Sequence, residues 1–125
     1  MYREQGDNKA ALAEVNALLG IERLSARYHM EKASILNEMK DTQGTKTELD
    51  MVYALWSEQP QKLLSLASFQ AASGDADGAN RSYQSAIKHA ANEPVAYLEY
   101  ASFLIQNNQF EQAKAVISTV HLLPP

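Results

Sequence analysis

The chain of 125 residues contains no cysteine. It therefore has no disulfide framework, no thiolate nucleophile and no zinc–thiolate site. Basic stretches are missing too: no run of Lys and Arg forms a stripe, and the formal net charge is −4 with a pI near 5.3. That balance argues against nucleic acid or an anionic membrane as a partner. No apolar run approaches the roughly 18 residues that a membrane-spanning helix needs, so no membrane insertion is expected. The opening residues, Met1 to Gly6, lack the apolar centre of a secretion signal. Cytoplasm and periplasm are both compatible with the composition. No glycine-rich phosphate loop is present, and the four prolines sit at the ends of periodic segments.

What the chain does have is a repeat. From Ala11 to Thr45, Ala79 and Ala113 the numbering steps by 34, and it does so again through Val15, Leu49, Tyr83 and Ile117. Leu18, Val52, Ala86 and Val120 keep the same step, as do Gly6, Lys40, Gly74 and Asn108. A fixed period of this length marks a solenoid, in which each unit buries its apolar face by stacking on its neighbours. Abundant Ala, Leu, Gln, Glu and Ser favour helices over strands, and 46% hydrophobic residues suffice for a continuous core.

Pro94 opens the clearest unit, since proline suits the first turn of a helix. Tyr97, Tyr100, Ala101 and Leu104 follow at helical spacing, Asn107-Asn108 breaks the pattern, and Phe110, Ala113, Ile117 and Val120 carry a second helix to Pro124-Pro125. The unit before it has the same plan: Pro60, then Leu63, Leu66 and Ala67, a turn at Gly74-Asp75, and Ala79, Tyr83, Ala86 and Ile87. The next unit back is degenerate. His29 and Lys32 take places that are apolar elsewhere, Thr45 replaces a small alanine, and Gly44 with the polar run from Lys40 to Gln43 suggests a longer or shifted turn. Residues 8 to about 20 read as the second helix of a unit whose first helix is missing, with Tyr2 near the end of the lost helix. One repeat domain over 1–125 is expected, divided into a partial unit (1–23), the degenerate unit (24–59) and two full units (60–93 and 94–125). Such a start suggests a fragment of a longer array, or a face covered by another chain.

These residues resemble the tetratricopeptide repeat, whose pattern is W-x2-L-G-x2-Y, then A-x3-F, then P. Here it reads Tyr97-x2-Tyr100-Ala101-x2-Leu104, Ala113-x3-Ile117, Pro125, and in the unit before, Leu63-x2-Leu66-Ala67-x2-Gln70, Ala79-x3-Tyr83. The resemblance implies an all-α right-handed superhelical stack of antiparallel helix hairpins, an α-solenoid of about seven helices.

Few residues suggest chemistry. The histidines His29, His89 and His121 show no pairing at metal-ligand spacing and read as solvated or rim residues. Asp75-Ala76-Asp77-Gly78 begins like a calcium loop, but the sixth and twelfth places hold Asn80 and Ala86, so it reads as a turn entering a helix. No serine, histidine and aspartate assemble into a nucleophilic set. Neither an enzyme, nor a metal, nor a cofactor is expected. Trp56 reads as a packing residue late in a second helix.

The resemblance also implies that the first helix of each unit lines a concave groove. In that register one row holds Met30, Leu64 and Leu98, a second holds Ser34, Ser68 and Ser102, and a third holds Asn37, Ala71 and Ile105. An apolar row beside small hydroxyls suits a peptide presented as a helix or an extended segment, so Met30, Ser34, Leu64, Ser68, Leu98 and Ser102 are the candidate groove. The alternative is that Met30, Leu64 and Leu98 are half-buried between hairpins and bind nothing. Some tetratricopeptide domains clamp the C-terminal carboxylate of heat-shock chaperones with Lys, Asn and Arg. The matching places here hold Met30, Ser34, Ser65, Val95 and Glu99, none basic, which argues against that clamp. The expected function is non-catalytic binding of a protein or peptide as a scaffold or adaptor segment. Alternatives are self-association through an open N-terminal face (Leu12, Val15, Leu19) or an uncapped last helix (Val116, Val120), or regulation of an enzyme domain elsewhere in a parent chain.

Overall fold

The computed structural model describes residues 5–124, so Tyr2 and Pro125 lie outside the described residues. Seven helices occur among them and no strand: α1 (Gln5–Ile21), α2 (Ala26–Glu38), α3 (Thr42–Leu55), α4 (Pro60–Ala72), α5 (Ala76–His89), α6 (Pro94–Gln106) and α7 (Phe110–His121). From α2 onward the period governs the helix starts as well as the stripes, whereas α1 begins at Gln5, ahead of its register place at Asn8, so that Gly6, in register with Gly74, lies inside a helix and not in a turn. α2, α4 and α6 start at Ala26, Pro60 and Pro94 and stop at Glu38, Ala72 and Gln106, all in the register of the repeat. α3, α5 and α7 start at Thr42, Ala76 and Phe110 in the same register. The turn after α2 is therefore neither longer nor shifted, contrary to the sequence expectation.

One backbone device makes that turn three times. Lys40, Gly74 and Asn108 have φ of 62°, 87° and 61°, the left-handed conformation that commonly ends a helix. In the middle copy, Gly74 N donates to Ala71 O (3.2 Å) and Asp75 N donates to Gln70 O (2.9 Å). The matching bonds run from Lys40 N to Asn37 O (3.1 Å) and Asp41 N to Leu36 O (2.9 Å), and from Asn108 N to Ile105 O (3.0 Å) and Gln109 N to Leu104 O (2.8 Å). This pairing satisfies carbonyls that the helix end leaves open. Asp41 and Asp75 then cap the next helix, accepting from Gly44 N and Gly78 N at 2.9 Å each. Pro60 and Pro94 take the first helical turn, as expected.

The described residues form two compact units, Met1–Leu55 and Trp56–Pro125. In the first, α2 and α3 make a hairpin with α1 against α2. Its core is Val15, Leu19, Ala33, Leu36, Leu49 and Val52, all buried. The N-terminal face expected to be open is thus partly closed: Val15 and Leu19 are 3% and 9% exposed, because α2 covers them. The polar substitutions in this unit are matched rather than stranded. Buried Thr45 donates its hydroxyl to Asp41 O at 2.8 Å. His29 is buried, a correction to its reading as a rim residue. Its Nδ1 lies 2.7 Å from Glu48 Oε1, and its Nε2 lies 2.7 Å from the Arg23 carbonyl. Lys32 Nζ lies 4.0 Å from the other Glu48 oxygen. One glutamate on α3 thereby answers both polar residues that α2 carries in place of apolar ones. His89 and His121 are exposed.

In the second unit, α4 and α5 form one hairpin and α6 and α7 the next. Leu63, Leu66, Ala67, Ala79 and Ala86 are fully buried in the first, and Tyr97, Tyr100, Ala101, Leu104 and Ala113 are buried in the second. Alanines at 67, 79, 101 and 113 let the helices approach closely, which larger side chains would prevent. Trp56 falls just past the end of α3, half-buried, with Lys62 Nζ 5.7 Å from its ring centre.

Candidate functional site

Within the second unit a cavity of about 330 Å³ opens between α4, α5 and α6. Ser68 and Ser102, at equivalent register places on α4 and α6, both line it. Tyr83 from α5 and Phe103 from α6 line it as well, and at 5% and 4% exposure they form its floor. Ala71 joins that floor, while Ala72, Glu99 and Gln106 stand exposed at the rim with the two serines. Tyr83 and Phe103 belong to an aromatic cluster with Tyr100, with ring centres 5.3 Å (Tyr83–Phe103) and 5.6 Å (Tyr83–Tyr100) apart. The cluster is held rigidly: Tyr100 donates to Asn80 Oδ1 at 2.5 Å and accepts from Gln84 Nε2 at 3.1 Å. The Tyr83 hydroxyl is pushed above its ordinary pKa, first by burial and then by the nearby charge of Glu99. It therefore stays protonated, a donor rather than an anion.

The six residues expected to form a groove have separate fates. Ser68 and Ser102 share the cavity. Leu98 is one helical turn before Ser102 on α6 and is 49% exposed. Leu64 is only 5% exposed and serves the core of its hairpin. Met30 and Ser34, on α2 in the first unit, are half-buried. Ser34 lines a second cavity of about 380 Å³ between α1 and α2, with Glu31, Ile35, Val15 and Leu18 among its neighbours. Sequence reasoning placed Tyr83 in the core and passed over Phe103. The available signal was the spacing of Tyr83, Tyr100 and Phe103, an aromatic group on two successive helices.

Among the described residues, no group of three His, Asp or Glu side chains could hold a metal ion. Asp75, the start of the apparent calcium loop, is engaged as a helix cap. No helix among the described residues is long and apolar enough to cross a membrane.

Paired helices recurring at one fixed step define an α-solenoid of helix hairpins. Residues 70–122 match the family model of the tetratricopeptide repeat, and that stretch of the chain is a tetratricopeptide-repeat segment. Among solved structures, two crystal structures of MamA each superpose with a TM-score of 0.62 at 16% identity. The match covers 92% of this chain and 67% and 63% of those chains, so this chain spans about two thirds of their length. At that identity the likeness speaks for the fold alone. No curated protein sequence matches the chain. Tetratricopeptide repeats generally mediate protein–protein interaction and scaffolding, and the fold is generally non-catalytic.

Proposed function

We propose that this chain is a non-catalytic protein-binding segment that receives a peptide of its partner on the cavity-bearing face of α4 and α6. The observation that carries this reading is the cavity holding Ser68 and Ser102 above the buried rings of Tyr83 and Phe103. Small hydroxyl residues at the rim admit a peptide backbone and offer it hydrogen bonds. Apolar rings beneath give an inserted side chain a dry surface, and such anchoring in a preformed pocket supplies most interface energy. Leu98, exposed on the same face of α6 one turn from Ser102, extends the apolar contact along the helix. Leu64 supports the face from below rather than touching a ligand. Met30 and Ser34 offer a comparable face on α2 in the first unit.

The test is selection of short random peptides on the whole chain, followed by affinity measurement against Ser68→Trp and Ser102→Trp. Both positions are exposed, so the bulky side chain fills the cavity without disturbing the core. Binders lost in both variants, with the unfolding midpoint unchanged, support the reading. No binder, or binders indifferent to both changes, would overturn it. A molecular mass that rises with concentration, together with no binder, would move the assignment to self-association. Exposed Phe110, Ile117 and Leu122 on and just after α7 would then be the surface to mutate.

A further inference from the structure

The cavity on α4 and α6 has a chemical bias that narrows its ligand. Glu99 is the one charged residue in its lining. Every lysine and arginine of the second unit lies outside that lining. Lys114 pairs with Glu111 at 3.5 Å and Lys62 lies over Trp56, and no ion pair to Glu99 occurs among the described residues. A carboxylate thus stands at the rim of an aromatic floor with no cation to answer it.

The same arrangement occurs in the first unit, two repeats earlier. Glu31, Ser34 and Ile35 occupy the register places of Glu99, Ser102 and Phe103, and Val15 occupies that of Tyr83. All four line the cavity between α1 and α2, where Glu14 adds a second carboxylate. Glu31 has a cation nearby, but Arg27 Nε lies 3.8 Å away and its side chain is 82% exposed, so it is free to yield. An acidic rim over an apolar floor is therefore built twice from one sequence element, Glu-x-x-Ser followed by Ile or Phe.

We infer that the occupant of the α4–α6 cavity is a partner segment carrying an arginine or lysine side chain, its aliphatic stem lying on Tyr83 and Phe103 and its cationic head meeting Glu99. This rests on the peptide-binding reading given above and specifies the class of peptide. Long basic side chains are suited to the site because they present an apolar stem and a charged tip along one axis. A cation near the face of a tyrosine or phenylalanine also gains from the ring quadrupole. The Tyr83 hydroxyl, which burial and Glu99 together keep protonated, leaves Glu99 as the anion that the head can reach. Ser68 and Ser102 add neutral oxygens that accept from a guanidinium or ammonium. The bias is opposite to what a carboxylate-bearing tail requires.

The peptides selected on the whole chain decide the matter. Those whose binding is lost in Ser102→Trp are scored for basic residues and measured against Glu99→Gln and Glu99→Lys. An excess of Arg or Lys at one position, with affinity falling roughly three- to tenfold in Glu99→Gln and further in Glu99→Lys, is the expected result. Exchange of that basic residue for Glu should restore binding to Glu99→Lys. Cavity-dependent peptides with no basic residue, or with affinity unchanged in Glu99→Gln, would overturn this inference and leave the peptide-binding reading intact. Absence of any cavity-dependent peptide would overturn both. Glu99 is exposed and outside the core, so its substitution leaves folding unaltered, which the unfolding midpoint checks.

Discussion

Three positions in one register, Lys40, Gly74 and Asn108, do the same conformational work with different chemistry. Each sits at positive φ, where a side chain with a Cβ costs roughly 1 kcal/mol more than glycine. Lys40→Gly should therefore raise stability by about 0.5–1 kcal/mol, read as a shift of the urea midpoint without a change of slope. Gly78 poses the reverse problem. A Cβ there would fall against the Asp75 carboxylate and 2.7 Å from Gln70 Nε2, and Gln70 is fully buried with Oε1 accepting from Ser82 at 2.6 Å. Gly78→Ala should cost about 1–3 kcal/mol despite alanine's better helix propensity. His29 is constrained by its partners instead. Its two ring nitrogens lie 2.7 Å from a Glu48 oxygen and from the Arg23 carbonyl, so the ring is held on both edges. His29→Ala should cost about 2–4 kcal/mol, because it opens a cavity and leaves Glu48 poorly paired. The sequence marked His29 as out of place in an apolar row. It did not reveal that Glu48, on the following helix, would be the partner, because only the α2–α3 hairpin brings them together.

Helices differ in how much they bury, and that difference has a dynamic consequence. α5 buries Gly78, Ala79, Ser82, Tyr83 and Ala86, and begins with an aspartate cap. α7 buries only Ala113 and is preceded by Gln109, which makes no side-chain cap, while Phe110 and Ile117 are 52% and 36% exposed. Local opening draws on elements with few buried apolar groups. Backbone amides of α7 should therefore exchange with deuterium well before those of α5, about tenfold or more faster at native pH, as mass spectrometry of proteolytic fragments can read. Equal protection of the two helices would mean that another surface covers α7. Helix starts and stops were legible from the sequence because proline, asparagine and glycine act locally. The degenerate turn at Lys40 was not, since a lysine carries no mark of the left-handed conformation it is made to adopt by the bonds of Lys40 N to Asn37 O and Asp41 N to Leu36 O.

At the level of the whole molecule, charge and binding join. With a net charge of −4 and an unpaired carboxylate at the cavity rim, binding of a basic segment should be sensitive to salt. Affinity of the Arg- or Lys-bearing peptides should fall several-fold from about 0.05 to about 0.5 M NaCl, as the screening length shrinks from well over ~10 Å to a few Å. A cavity ligand held by apolar contact alone should hold or gain affinity over the same range. Isothermal titration at the two salt concentrations separates these cases.

By itself the sequence determined that this protein is a set of helix hairpins repeating at one fixed period, together with the turns that glycine and asparagine mark and most of their core. These features follow from spacing: residues three and four apart share a helix face, and a unit that recurs in register must bury the same face each time. Tertiary structure alone decided which of the candidate face residues remain available. Leu64 and Leu98 hold equivalent places in successive repeats, yet one is buried and the other half open to solvent. Tyr83 and Phe103, read as core or passed over, became the floor of a cavity. Whether a side chain at the seam between helices is covered depends on the size and direction of its neighbours on other helices, and a periodic pattern along the chain does not contain that information.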